Sequence, residues 1–350
     1  MKGLLVPLLA CAVVLVVGVR LALADDAARA RVAYAAMERT FFDPRRGDYR
    51  DAEGGPAGSH AWPFSQALAA ALEVAPLERP RSQTSQVLRR RFALLDRRFR
   101  SGQLYTATPH GYVYYDDNEW IALDQLDWNN LHARPNAVRK AEQIFTAIAT
   151  AWSSNTSWTC PGGVPWTTMP GEQSRNTVST ANAAVLGLRL YQLDPQPPLL
   201  QWSTRMLTWL DQCLLAPNGL FWDNIQPNGT VDQAQWSYNQ GSVMEAYRLL
   251  YLATGNPADL ARAESIADLT LAAFGSRWPT EPPEFAAIFF RRLLSLASLD
   301  GRTDYVATAQ AYANQLRRRP RHSLLQQAAL VQLYATLATP QPPTPSAHPQ

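Results

Sequence analysis

The sequence of 350 residues is short of charge, cysteine and histidine. Only 17% of it is charged, and 32 Lys and Arg stand against 29 Asp and Glu, a formal net charge of +3. That near balance excludes a dedicated nucleic-acid binder, which needs clustered positive charge to displace the counterions of a phosphate backbone. Five histidines and three cysteines show no ligand-like spacing, so no zinc site, other metal or cofactor is expected. No repeat of fixed length is present, which excludes a solenoid. Alternating β patterns are scarce, and short strands fit only in the loops. Hydrophobic residues still make up 47%, enough to bury a large core and exclude wholesale disorder. What is abundant is aromatic: 11 Trp and 13 Tyr, flat faces that stack on sugar rings and other apolar planes.

The first residues speak to compartment. Lys2 precedes an apolar stretch from Leu4 to Val19, then Ala22-Leu23-Ala24, a small-x-small cleavage pattern. Residues 1–24 are expected to be a signal peptide. Arg20 interrupts the run near that pattern, and the span is just long enough for the alternative, an uncleaved N-terminal membrane anchor. Leu8-Leu9-Ala10-Cys11 has the form of a lipidation box, but the apolar run continues past it. Export leaves Cys160 and Cys213, expected either as one disulfide of an oxidising compartment or as two small core residues. Residues 25–339 read as one catalytic domain and a monomer. Residues 340–350 read as a disordered Pro-rich tail.

Apolar residues recur at helical spacing near 26–41, 59–75, 83–99, 117–128, 134–153 and 177–193. They do so again near 199–214, 236–254, 257–274, 283–299, 303–318 and 321–338. Asn256-Pro257 carries helix-start chemistry. Turn-rich stretches lie at 43–58, 101–110, 159–174 and 217–230. Twelve non-repeating helices suit an all-α (α/α)6 toroid, six inner helices within six outer ones, with long loops forming a cleft at one end. Arginines at 89–91 and 317–319 read as solvated helix faces.

Four blocks carry chemistry. Tyr114-Tyr115-Asp116-Asp117-Asn118-Glu119-Trp120 opens the fourth helix. Asp116 and Glu119 are spaced as a capping box. The functional alternative is two carboxyls in one volume: aromatic burial raises one pKa while helix-start N–H groups lower the other, the division of labour glycoside cleavage needs. Asp124 and Asp127 are expected to be solvated or loop-bonded. In Cys160-Pro161-Gly162-Gly163-Val164-Pro165-Trp166, glycines could bring backbone close to a ligand beside Trp166. Arg175-Asn176 leads into another helix, where Asn176 or Ser179 serves as a cap or reads hydroxyls. Trp222-Asp223 and Gln235-Trp236-Ser237-Tyr238-Asn239-Gln240-Gly241 supply stacking faces and neutral hydrogen-bonding groups, which suit hydroxyls better than phosphates or uronates.

These blocks, in this order, closely resemble glycoside hydrolase family 76, over about residues 30–295. The resemblance implies an (α/α)6 fold and a retaining endo-α-1,6-mannosidase acting on mannan or mannose-containing envelope glycans. It implies Asp116 as nucleophile, Asp117 as general acid/base and Asp223 gripping sugar hydroxyls. Trp236, Tyr238, Asn239 and Gln240 would form one wall of the cleft and Trp166 and Asn176 the other, with Trp120 and Trp222 beside them. Thr180-Ala181 stands where the family often has Asn-Glu, and Ala286 where it often has Lys, which bears on substrate preference. The alternatives are a transglycosylase on lipid-linked mannan, as in the family's fungal GPI-processing members, and a non-catalytic glycan-binding protein. Two retained aspartates speak against the last.

Overall fold

The computed structural model describes the backbone of residues 5–78 and 81–339, with side chains for 23–78 and 84–339. The expected tail lies outside these residues, and the expected leader lies almost wholly outside the described side chains. Among the described residues no helix is long and apolar enough to cross a membrane.

All twelve expected helices are present. They are α1 (Leu5–Phe41), α2 (Ala61–Val74), α3 (Arg81–Phe99), α4 (Tyr115–His132), α5 (Pro135–Ala151) and α6 (Thr177–Leu193). Then come α7 (Pro197–Cys213), α8 (Ser237–Thr254), α9 (Pro257–Phe274), α10 (Pro283–Asp300), α11 (Thr303–Arg317) and α12 (Leu324–Ala338). Proline in the first turn starts α5, α7, α9 and α10; its fixed φ suits that position and its missing N–H costs nothing there. Asn256 caps α9 as its sequence suggests, accepting from the N–H of Ala258 at 3.2 Å.

The two helix populations differ in burial. In α5 the buried residues are Ala137, Ala141, Ile144, Phe145 and Ile148, one stripe at helical spacing. In α6 every residue from Thr177 to Leu188 is buried. Packing sorts them accordingly. α2 packs on α4, α4 on α6, α6 on α8, α8 on α10, α10 on α12, and α12 returns to α2. The striped helices sit outside: α1 on α12, α3 on α2, α5 on α4, α7 on α6, α9 on α8 and α11 on α10. This is the (α/α)6 toroid.

The strands are two residues long and lie in or beside the long loops. β1 (Phe42–Asp43) pairs with β2 (Asp48–Tyr49), and β3 (Arg100–Ser101) with β4 (Leu104–Tyr105), both antiparallel. β5 (Arg175–Asn176), β6 (Asn224–Ile225) and β7 (Val231–Asp232) form one antiparallel sheet in that order. They brace the loops at the N-terminal ends of the inner helices.

The opposite end of the ring holds a cavity of about 470 Å³, lined by carboxylates and guanidiniums. Arg189 pairs with Asp127 at 2.8 Å and Arg248 with Glu245 at 2.7 Å, while Arg291 pairs with Glu73. Asp124, expected to be solvated or loop-bonded, is instead buried in this cavity's wall, where the charges of Arg291 and Arg189 offset part of what burial costs its anion. Arg91 also departs from the solvated face expected of it. It is buried, donating to Glu38 at 2.8 Å and lying 3.4 Å from the Phe42 ring centre, because paired and stacked guanidinium tolerates burial. Cys160 and Cys213 form a disulfide that ties the 159–174 loop to the end of α7.

Candidate active site

The start of α4 is pinned from three sides. Tyr115 donates its N–H to the Trp166 carbonyl at 2.9 Å, and Tyr114 bridges Thr167. The Asn118 side chain clamps β4: its Oδ1 accepts from the Tyr105 N–H at 2.7 Å, and its Nδ2 donates to the Tyr105 and Tyr114 carbonyls, each at 2.8 Å. Tyr114 is the N-cap, with no side-chain capping bond, and both oxygens of Glu119 lack a partner. The capping box therefore does not form. A side chain committed to capping could not face a cleft, and Asp116 and Asp117 do face one.

That cleft is a cavity of about 920 Å³. Asp116, Asp117, Trp120, Trp166, Asn176, Asp223 and Tyr238, all from the sequence blocks, line it. Trp166 meets Tyr114 edge-on at 5.0 Å. Across the cleft Tyr238 stacks on Phe285 at 4.0 Å, and Trp62 and Trp236 pack around Phe285. Trp222, Trp236, Asn239 and Gln240 do not line the cavity. Asn239 acts one step back: its Nδ2 donates to Asp223 Oδ1 at 2.9 Å, while Asn224 donates to Oδ2 at 3.0 Å. Gln240 is buried, accepting from the Phe221 N–H and donating to its carbonyl, both at 2.8 Å. Trp222 supplies its carbonyl to the Thr177 hydroxyl, at 2.5 Å.

The glycine pair serves packing rather than a ligand. A Cβ on Gly162 would stand 2.7 Å from Trp152 and 2.8 Å from Trp209, and one on Gly163 2.5 Å from Trp209, with both φ positive. Arg175, fully buried, donates to the carbonyls of Cys160, Gln226 and Thr159 at 2.7, 3.0 and 3.1 Å, locking the same loop. Ser179 and Asn176 make no side-chain cap on α6. Trp62, Glu172 and Asp232 line the cavity without having been singled out by the sequence. Trp62 had a signal: it is the second residue of an inner helix, the position Tyr238 holds in α8.

Burial dominates the electrostatics. It pushes Asp116 up to about 7, against the backbone N–H groups of Asp116 and Asp117 and the Trp166 side chain, which favour the anion; Asp223 adds to the rise. Burial and then the charge of Asp116 push Asp117 well above the usual carboxylate range. Asp116 thus has donors that favour its anion, whereas burial and its neighbour's charge both oppose ionisation of Asp117. Burial also raises Glu119, seconded by Asp116, and raises Asp223 against the amides of Asn239 and Asn224. Among the described residues no group of three His, Cys, Asp or Glu is arranged to hold a metal ion.

This constellation has relatives. The profile of glycosyl hydrolase family 76 matches residues 25–299. Mannan endo-1,6-alpha-mannosidase DCW1 of Candida glabrata is 27% identical over 35% of this chain and 29% of its own length. The meiotically up-regulated gene 191 protein of Schizosaccharomyces pombe is 31% identical over 39% of this chain and 34% of its own. The matched region thus spans about a third of these curated relatives. A family 76 mannosidase from Bacteroides thetaiotaomicron superposes with a TM-score of 0.81 at 22% identity, covering 90% of this chain and 98% of that one. An α-1,6-mannanase of Salegentibacter sp. HEL1_6, inactivated by replacing two consecutive aspartates with asparagine and bound to α-1,6-mannotriose, gives 0.74 at 19% identity over 89% and 99%. The fold and the length of the profile match together establish that this chain belongs to glycosyl hydrolase family 76.

Proposed function

We propose that this chain is a retaining endo-α-1,6-mannosidase acting on mannan or mannose-containing envelope glycans. The observation that carries it is the consecutive pair Asp116 and Asp117, set together at a helix start in an aromatic-walled cavity. The Salegentibacter mannanase that is inactive without its own consecutive aspartates supports the reading.

The chemistry follows from the two environments. A carboxylate oxygen of Asp116 attacks the anomeric carbon as the glycosidic C–O bond breaks, and Asp117 gives its proton to the departing oxygen. Once Asp116 is esterified it carries no charge. The repulsion that added to burial in favouring protonated Asp117 then disappears, so the Asp117 carboxylate left by the first step acts as a base that takes a proton from water as the water attacks the same carbon. Retention results from the two displacements. Asp223, held by Asn239 and Asn224, is placed to grip hydroxyls, and Trp166 and Tyr238 offer faces to the sugar rings. The reading includes a monomeric unit over residues 25–339. It also includes a place outside the cytoplasm, with residues 1–24 as leader or anchor, supported by the disulfide.

The test is release of reducing ends from linear α-1,6-mannan, with product anomers followed by NMR. Retained configuration and loss of turnover in Asp117→Asn are expected; inversion, or a fully active Asp117→Asn, refutes the assignment. Added acceptor sugars separate hydrolysis from transfer, since exclusive hydrolysis removes the transglycosylase alternative. Tight mannan binding without turnover would favour the glycan-binding one.

A further inference from the structure

The cleft's walls carry a charge pattern that the cleavage chemistry does not require. Five carboxyl groups line it: Asp116, Asp117, Glu172, Asp223 and Asp232. Among the described residues lining it there is no lysine or arginine. The basic side chain present, His60, pairs with the Asp51 carboxylate. Arg175, on β5 beside the cleft residue Asn176, turns its guanidinium away to the carbonyls of Cys160, Thr159 and Gln226. Glu172 accepts from the Ser174 N–H at 2.8 Å, a bond that favours its anion, and the exposed Asp232 accepts from the Ala234 N–H at 2.9 Å. These two belong to the lining but not to the catalytic pair, and both are anchored where they stand.

We infer that the cleft selects electrically neutral mannan segments and rejects those bearing phosphate or carboxylate groups near the scissile linkage, with Glu172 and Asp232 as the residues that enforce the rejection. The inference rests on the mannosidase reading and adds its substrate class. An anionic substituent entering this cavity loses its hydration shell and meets five carboxyl groups, with no guanidinium or ammonium to replace the water. A neutral mannosyl chain loses nothing of the kind, because its hydroxyls find Asn176, Asp223 and the aromatic faces. If the natural glycan is joined to a phosphate-bearing lipid, that end must lie outside the cavity when cleavage occurs.

The experiment compares three α-1,6-mannotetraoses: unsubstituted, carrying a phosphate monoester on an internal O2, and carrying the uncharged dimethyl ester of that phosphate. The third has the bulk of the second without its charge. The expected result is a kcat/KM for the monoester at least about tenfold below that of the dimethyl ester at low salt, the scale of one or two unscreened like-charge contacts. That gap should narrow several-fold between about 20 mM and about 500 mM NaCl, because solvent-accessible charges such as Glu172 and Asp232 are screened over a few ångströms at high salt. It should narrow likewise in the Glu172→Gln/Asp232→Asn double variant. Equal cleavage of monoester and dimethyl ester overturns the inference. So does a gap that neither salt nor the double variant changes, since size would then be the cause. Failure to cleave the unsubstituted tetrasaccharide overturns the mannosidase reading, and this inference with it.

Discussion

Asp116 feels two neighbours of opposite effect, Trp166 and Asp223, and removing each should move the pH profile in opposite directions. The nucleophile must be ionised, and burial places its pKa at about 7. Because the folded pKa is raised, the active anion is lost as pH falls through 7, well above where an ordinary aspartate would protonate. At pH 6 about a tenth of the enzyme carries the anion, so kcat/KM should be about a tenth of its plateau. Trp166 favours the anion, and Trp166→Phe removes that contact. A hydrogen bond to a charged group contributes about 1.5 kcal/mol, or about one pKa unit. The acidic limb should therefore rise to about 8, leaving about a hundredth of the plateau at pH 6. Asp223 raises Asp116 by its charge, but is itself pushed toward neutrality by burial. Asp223→Asn should accordingly lower the limb by only about half a unit, leaving about a quarter at pH 6. The assay is reducing-end release from α-1,6-mannan between about pH 4 and pH 9, with each profile normalised to its own plateau so that lost binding does not masquerade as a shift. A native limb near pH 4, or displacement of both variants to the same side, refutes the reasoning.

Three stability and activity predictions accompany it. Gly163→Ala adds a Cβ 2.5 Å from Trp209 at a positive φ, and urea unfolding should show a loss of about 2–4 kcal/mol from strain and overpacking together. Gln240→Leu strands the buried N–H and carbonyl of Phe221 and should cost about 2–4 kcal/mol, whereas Asn239→Ala should leave the denaturation midpoint nearly in place and cut kcat/KM at least about tenfold by freeing Asp223; equal effects of the two on both measurements would contradict their assigned places. Cys160→Ser opens a loop with a sequence separation of 53 and should cost about 4 kcal/mol by the chain-entropy relation, read from thermal unfolding against the oxidised native protein.

The helices were legible because apolar spacing recurs in every one of them, and because outer helices keep a polar side that marks their ends. Their arrangement was less so. The return of α12 onto α2 is a contact between residues far apart in the chain, and twelve helices in series suggest it without specifying it. Within the site, the adjacent aspartates stood out through their aromatic neighbours, but whether Glu119 reached back to cap the helix depended on where α4 begins. Asn118 fixes that start by gripping the backbone of Tyr105 and Tyr114, an interaction invisible in local spacing. Gly162 and Gly163 announced a close approach; only the fold shows the approaching group to be Trp209. Glu172 and Asp232 were unreadable for a different reason. Isolated acids in polar loops are the commonest of surface residues, and nothing local distinguishes the two that line a cleft.

The seam of the toroid lies between its first and last helices, since α1 packs on α12 and α12 on α2. The order of synthesis therefore runs against the order of completion. Every helix up to α11 can leave the ribosome and find its sequence neighbour, while α1 and α2 wait with apolar faces uncovered for the final segment. Such long-range closure slows folding and lengthens the time during which sticky surface is on show. A chain stopped before Leu324 would strip α1, α2 and α10 each of a helix they pack against. Loss of that one terminal helix should be as damaging to solubility in a cell as a lesion in the middle of the core.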